Sequence, residues 1–241
     1  MSEPIDLSQI STLTWDIGGT VFDWHHSIKD EVAKRAAAQG ADVDPALFAN
    51  TWRRRMFEQL QRVRTGDLPW MNADELHRMV LDELAEQHPS LEYSAAELDE
   101  LNQVWHRLYV WPDAPEALRR LRERYTVVVL TVMSTAIAVD SSKHNGVEWD
   151  AIISCEFLGH YKPAAEAYQG GLKLLGVEPD EAIMCAVHPG DLRAAMAAGL
   201  RSAYVPRPGE SGEGNDGDLS PQPDFEINAT DFTDLADQLL A

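Results

Sequence analysis

Five short apolar runs separated by helical patterns constrain the fold of this chain more than any other feature. The strongest is YTVVVL at 125–130, a β-branched run too short for a helix and too apolar for an edge strand. TLTWDI at 12–17 precedes it, and runs at 150–155, 182–187 and 201–205 follow. Helical patterns fill 134–145, 163–175 and 190–198, with Ser134 placed to cap the first. Strands alternating with helices of this length make βαβ units, so the expectation is an α/β domain: a parallel sheet with helices on both faces.

Between the first and second strands the pattern is helical almost throughout, at 27–38, 46–63, 73–87, 95–108 and 114–123. That is too long for one crossover. Residues 24–110 therefore read as a separate helical lobe inserted into a core made of 1–23 and 111–241, with the helix at 114–123 belonging to the sheet layer. The cleft between the lobes is the place to seek a site. The stretch PRPGESGEGNDGDLSPQPD at 206–224 reads as an exposed flexible loop, with closure over the cleft as the other reading.

Composition narrows the partners. Forty acidic side chains against 20 basic ones give a net charge of -20, which repels phosphate backbones and anionic lipid. Nucleic acid and membrane are thus not expected partners, whereas local basic residues still allow a small anionic substrate in a cleft. Cys155 and Cys185 make no disulfide framework and read as core thiols. With no basic region leading into an apolar stretch at the N-terminus, the expected location is the cytoplasm.

Chemistry concentrates in the string WDIGGTVFDW, where Asp16 follows the first strand and Gly18, Gly19 and Thr20 follow Asp16. A carboxylate at the carboxyl end of a parallel strand stands above the sheet, beside backbone N–H groups free to bind an anion; the bland reading is a turn cap. His25 and His26 suggest metal ligands only weakly, because adjacent side chains converge poorly and spacing supplies no third ligand.

The pattern formed by Asp16, Gly19, Thr20 and Asp23 resembles the nucleophile motif of the haloacid dehalogenase superfamily. Thr131 at the end of YTVVVL, Lys162 in HYKPAAEAY and Asp191 in AVHPGDLRAAMAAGL match its other motifs in order. The helical insertion resembles the small cap of the L-2-haloacid dehalogenase branch, which implies a Rossmann-like core with a helical cap domain. That resemblance implies hydrolytic dehalogenation of 2-haloalkanoic acids, without a cofactor, through an ester on the nucleophilic aspartate. Asp16 matches the nucleophile, Thr20 and Thr131 the hydroxyl donors around it, Lys162 the charge-balancing lysine and Asp191 the acid of the last motif. Arg53 in TWRRRM matches the arginine that meets substrate or departing halide, Tyr168 the site tyrosine, and Trp70 an aromatic wall of the cap, or else cap packing. The branch also suggests a homodimer.

Several positions depart from the pattern. Gly18 stands where superfamily phosphatases carry the aspartate that protonates the leaving alkoxide; halide is a weak base and leaves without a proton. Gly18 is also expected to leave a space beside the nucleophile. Val132 offers no side-chain N–H where the dehalogenases have asparagine, and Ala186 and His188 replace serine and asparagine. His188 reads as a neutral base for ester hydrolysis, or as a structural histidine. The alternative functions are a Mg²⁺-dependent phosphatase or phosphonate hydrolase, with Asp16, the Gly18 carbonyl and Asp191 around the metal, and a degenerate member that has lost catalysis.

Overall fold

The computed structural model describes residues 5–241; residues 1–4, assigned above to the core, lie outside the described residues. The chain opens with β1 (Thr12–Trp15), all four residues buried. The short strand β2 (Phe22–Asp23) then leads into the insertion, which contains α1 (Trp24–Gln39), α2 (Pro45–Thr65), α3 (Ala73–Gln87) and α4 (Ala95–Asn102). The fourth helix is shorter than the periodicity predicts, because the chain tightens into a 3₁₀ turn at Gln103–Arg107. Strand β3 (Tyr109–Val110) returns antiparallel to β2, pairing Phe22 with Val110 and Asp23 with Tyr109. These two connections are strapped together where the chain leaves and re-enters the core.

Beyond them come α5 (Ala114–Leu121), β4 (Thr126–Thr131), α6 (Thr135–Asn145), β5 (Ala151–Ser154), α7 (Ala165–Leu175), β6 (Ala182–Ala186), α8 (Pro189–Ala197), β7 (Arg201–Tyr204), β8 (Ile227–Asn228) and α9 (Phe232–Leu240). The sheet has the order β5-β4-β1-β6-β7-β8, with every pairing parallel. Strand β8 is two residues long and carries no alternation that a sequence window registers.

The period of two along β4 decides the layers. Val127 and Val129 face one apolar cluster with Ile137 of α6, Leu118 of α5 and Leu235 of α9, whereas Val128 and Leu130 face another with Leu172 of α7 and Leu192 of α8. Helices therefore cover both faces, and the sheet is buried on both sides as its β-branched runs require. Trp15 from β1 packs on Phe232 with ring centroids 4.9 Å apart. In the insertion Phe48, Trp52, Leu76, Val80 and Trp105 are buried against one another. Helices α3 and α4 start on capping boxes at Asn72 with Glu75 and at Ser94 with Glu97.

Because β1 is flanked by β4 and β6, the chain reverses its winding direction at β1. The crevice above the carboxyl ends at such a switch point is where open α/β sheets bind ligands. Cys155 and Cys185 are both buried free thiols, and among the described residues no helix is long and apolar enough to cross a membrane.

Candidate active site

Asp16 is the first residue past β1, and its N–H donates to the Cys185 carbonyl at 3.1 Å, extending the sheet ladder by one step. Its carboxylate is thereby held at the switch point, only 6% exposed. The Thr20 hydroxyl donates to Asp16 Oδ2 at 2.8 Å and accepts the Val187 N–H at 3.1 Å, tying the turn after β1 to the end of β6. His188, the N-cap residue of α8, places Nδ1 3.2 Å from the same Oδ2. On the other oxygen, Oδ1, the nearest cation is the Lys162 ammonium at 3.9 Å. Lys162 is anchored by Asp191, whose Oδ2 it meets at 2.9 Å, while the Tyr168 hydroxyl donates to Asp191 Oδ1 at 2.5 Å.

From α2 of the insertion, Arg53 Nη2 donates to the Gly18 carbonyl at 3.2 Å and to Glu210 Oε1 at 3.3 Å, with the guanidinium 4.5 Å over the Trp24 ring. Glu210 also accepts from the Trp24 indole at 3.0 Å and lies 2.9 Å from His188 Nε2. Asp16, His188, Glu210 and Arg53 thus form one connected network across the cleft.

These charges set one another's protonation. Burial opposes ionisation of Asp16, but the hydrogen bond from His188 and the charge of Lys162 overcome it and hold the carboxyl well below the usual range. Burial likewise opposes Glu210, and the His188 and Arg53 charges pull it down to about 2. For His188 burial works against the cation, yet the Glu210 charge and the hydrogen bonds to Asp16 and Glu210 push it up to about 10. Although 35% of the His188 side chain remains open, two carboxylates within 3.2 Å fix the direction of that shift. Lys162 is disfavoured as a cation by burial and raised on balance by Asp191 and Asp16.

A cavity of about 530 Å³ opens onto this network. Asp16, Asp191 and Glu210 line it together with Lys162, His188, Arg53 and Arg64, and Met56, Phe57, Trp105, Val132 and Met133 give it an apolar wall. Arg64 donates to the Lys162 carbonyl at 3.2 Å and, among the described residues, has no carboxylate partner. Three acids and four cations leave a surplus of one positive charge, which suits a monoanion.

Several expectations need correction. Gly18 does not leave a space: a Cβ there would lie 2.6 Å from Met133 Cε, so the methionine fills it. The Gly19 N–H is not free for an anion, because it donates to the Phe22 carbonyl at 2.9 Å. Thr131 accepts the Met133 N–H at 3.1 Å and lines the cavity, but among the described residues it makes no hydrogen bond to Asp16. Trp70 stacks on Tyr161 with centroids 4.6 Å apart, 45% exposed and away from the cavity; Trp105 supplies the aromatic wall instead. His188 is not a neutral base, since the carboxylates on both sides of it hold it protonated.

The loop at 206–224 also differs from its expectation: its first part is docked. Arg207 is 6% exposed, pairs with Asp113 at 2.7 Å and donates to the Thr20 carbonyl at 2.9 Å. Glu210 was illegible because an acid in a Gly-rich acidic loop looks like solvated surface, and Met133 because a methionine after a strand looks like core.

The proposed Mg²⁺ ligands do not suit a metal. The Gly18 carbonyl faces the Arg53 guanidinium, and both Asp191 oxygens are engaged by Lys162 and Tyr168, so cations and donors already stand where Mg²⁺ would need ligands. Among the described residues no group of three His, Cys, Asp or Glu side chains is arranged to hold a metal.

Comparison with known proteins matches residues 10–199 to the family of haloacid dehalogenase-like hydrolases. The solved structure of a defluorinating L-2-haloacid dehalogenase is 36% identical, with a TM-score of 0.92, covering 96% of each chain. Another L-2-haloacid dehalogenase structure is 34% identical, with a TM-score of 0.91, covering 96% of this chain and 99% of that one. Haloacetate dehalogenase H-2 of Moraxella sp. (strain B) is 25% identical over 229 residues, 93% of this chain and 96% of its own.

Proposed function

Because this chain belongs to the haloacid dehalogenase-like hydrolases, in their L-2-haloacid dehalogenase branch, we propose that it hydrolyses 2-haloalkanoic acids to 2-hydroxy acids through an ester on Asp16. The observation that carries the mechanism is the unequal loading of the two Asp16 oxygens. Oδ2 carries hydrogen bonds from Thr20 and His188, while Oδ1, among the described residues, has only the Lys162 ammonium at 3.9 Å. Oδ1 therefore keeps a lone pair for attack, and the donors on Oδ2 fix its direction.

In the first step Oδ1 bonds to the halogen-bearing carbon, and the carbon–halogen bond breaks with its electron pair on the departing halide. Arg53 and Arg64 supply positive charge in the cavity for the halide and the substrate carboxylate, in a setting whose low dielectric strengthens both interactions. The resulting ester has Oδ2 as its carbonyl oxygen. Thr20 and protonated His188 then point donors at the atom that becomes the oxyanion when water attacks the ester carbon. The bond from that carbon to Oδ1 breaks, the product keeps Oδ1 as its hydroxyl oxygen, and the water oxygen restores the carboxylate. One water proton goes to the hydroxyl, and the other is released to solvent. Loss of a phosphatase-type acid at Gly18 costs nothing in the first step, where the leaving halide needs no proton.

Halide release from 2-fluoro-, 2-chloro- and 2-bromopropanoate, measured with and without EDTA, tests the reaction. Release unaffected by the chelator is the expected result. Turnover of phosphate esters but of no haloacid would overturn the reading.

A further inference from the structure

Glu210 presents a problem for a site that must admit an anion: it puts a third carboxylate in the cavity beside the nucleophile. A buried carboxylate is costly unless it is fully partnered. This one is partnered by the Trp24 indole, the Arg53 guanidinium and the His188 ring, at 14% side-chain exposure. We propose that Glu210, delivered by the loop after β7, is a positioning residue of the reaction: it orients His188 and Arg53 toward Asp16, so that docking of the loop completes the site. The proposal rests on the dehalogenase reading for what the reaction is, and on the loop's own contacts for how Glu210 gets there.

Those contacts show a segment built to dock. Upstream, Arg207 enters the core between Asp113 and the Thr20 carbonyl, with its guanidinium 3.9 Å over the Phe232 ring. Downstream, Asn50 of α2 donates to the Ser211 carbonyl at 3.0 Å, fastening the loop to the insertion. Between these anchors Glu210 crosses over Gly19, at φ 95°, where a Cβ would collide with the Glu210 carboxylate. On its far side Gly212 passes His25 so closely that a Cβ would meet the ring at 2.6 Å. The requirement for glycine at both crossings fits the chain to this docked path. The loop thus joins both lobes, and its one acidic side chain in the cavity meets the cations that face the nucleophile.

The orientation has a chemical consequence. An imidazole between two carboxylates has each ring nitrogen assigned a partner: Nε2 to Glu210 and Nδ1 to Asp16 Oδ2. Without Glu210, Nε2 would face the Arg53 guanidinium at 3.3 Å, and like-charge repulsion would favour the neutral ring. The charged groups facing His188 are Asp16, Glu210 and Arg53, so removing Glu210 leaves one acid against one cation. The neutral ring would accept from Arg53 at Nε2 and keep its proton on Nδ1, so the developing oxyanion would meet a neutral donor in place of the stronger charged one.

The test compares wild type with Glu210→Gln, Glu210→Asp and Gly19→Ala. Glu210→Gln is expected to slow single-turnover ester breakdown by about tenfold, the loss of one charged hydrogen bond. It should also shift the alkaline limb of the turnover profile to lower pH. Glu210→Asp should recover part of both effects, and Gly19→Ala, which expels the carboxylate, should resemble Glu210→Gln. Ring titration of His188 by NMR needs no substrate, and a lowered ring pKa in Glu210→Gln is expected whatever the reaction proves to be. An unchanged His188 titration would overturn the proposal, as would slower turnover with an unmoved alkaline limb, which marks a merely structural role. Absence of haloacid turnover in wild type would instead refute the dehalogenase reading, leaving the titration to judge Glu210.

Discussion

Met133 and Gly18 share one volume beside the nucleophile: the Met133 methyl stands 2.6 Å from where a Gly18 Cβ would be. The backbone of one motif is thus matched to the side chain of another across β1 and β4, and the cavity floor depends on both. Since the obstructing atom ends a flexible side chain, Gly18→Ala should be accommodated by swinging the thioether into the cavity. The expected cost is small, about 1 kcal/mol or less, but the Michaelis constant should rise several-fold as substrate space is lost. Met133→Ala in the same chain should restore it. Thermal unfolding and halide-release kinetics check the pair.

Arg53 and Arg64 should separate in kinetics. Arg53 touches the Gly18 carbonyl and Glu210, so Arg53→Ala is expected to lower turnover and raise the Michaelis constant together. Arg64 is the cavity cation without a carboxylate partner among the described residues. Arg64→Gln should raise the Michaelis constant for a 2-haloacid by about tenfold with turnover little changed, the loss of one charge-assisted contact made equally in ground and transition states. Steady-state kinetics on both variants tell these patterns apart; identical effects would count against the division.

Lys162 is 6% exposed and holds Asp191 at 2.9 Å. Removing it strands a buried carboxylate, so Lys162→Ala should lose turnover even at saturating substrate and lose about 3 kcal/mol of stability. Denaturant unfolding measures the second part. Because the Lys162 charge helps hold the Asp16 carboxyl below its usual range, the stability difference between wild type and variant should shrink as pH falls and Asp16 is protonated.

Ester breakdown should show no inflection near the ordinary imidazole pKa of ~6.5. His188 is held protonated by its carboxylate neighbours up to about 10, so the donor form is present below that pH and lost above it. Breakdown should therefore be flat through neutrality and fall toward the alkaline end. A rapid-quench pH series decides this; a rate that rises through neutrality would mean that neutral His188 acts as a base.

Five of the six sheet strands were legible as short, mostly apolar runs alternating with helical patterns, with ends that differ by a residue or two, whereas the two-residue β8 was not. Helix α4 was overestimated because the 3₁₀ turn at Gln103–Arg107 continues its apolar spacing. In the site, Asp16 and Thr20 were legible at the end of a strong strand run, whereas Lys162 and Asp191 were named only through the motifs of the family that the sequence resembles. Trp70 was misplaced because a large aromatic residue in a cap carries no signal for which way it faces. Glu210 was missed for a different reason. Its partners come from α1, α2 and α8, and nothing local to 206–224 records them.

The central claim is that oxygen enters the product from Asp16. Single-turnover reaction of excess enzyme with a 2-haloacid in ¹⁸O-labelled water, with product and intact protein both read by mass spectrometry, tests it most directly. The account predicts product hydroxyl that is unlabelled on the first turnover, with ¹⁸O appearing in the Asp16 carboxylate, and no turnover in Asp16→Asn. Product labelled fully from water on the first turnover, with an unlabelled protein, would contradict it.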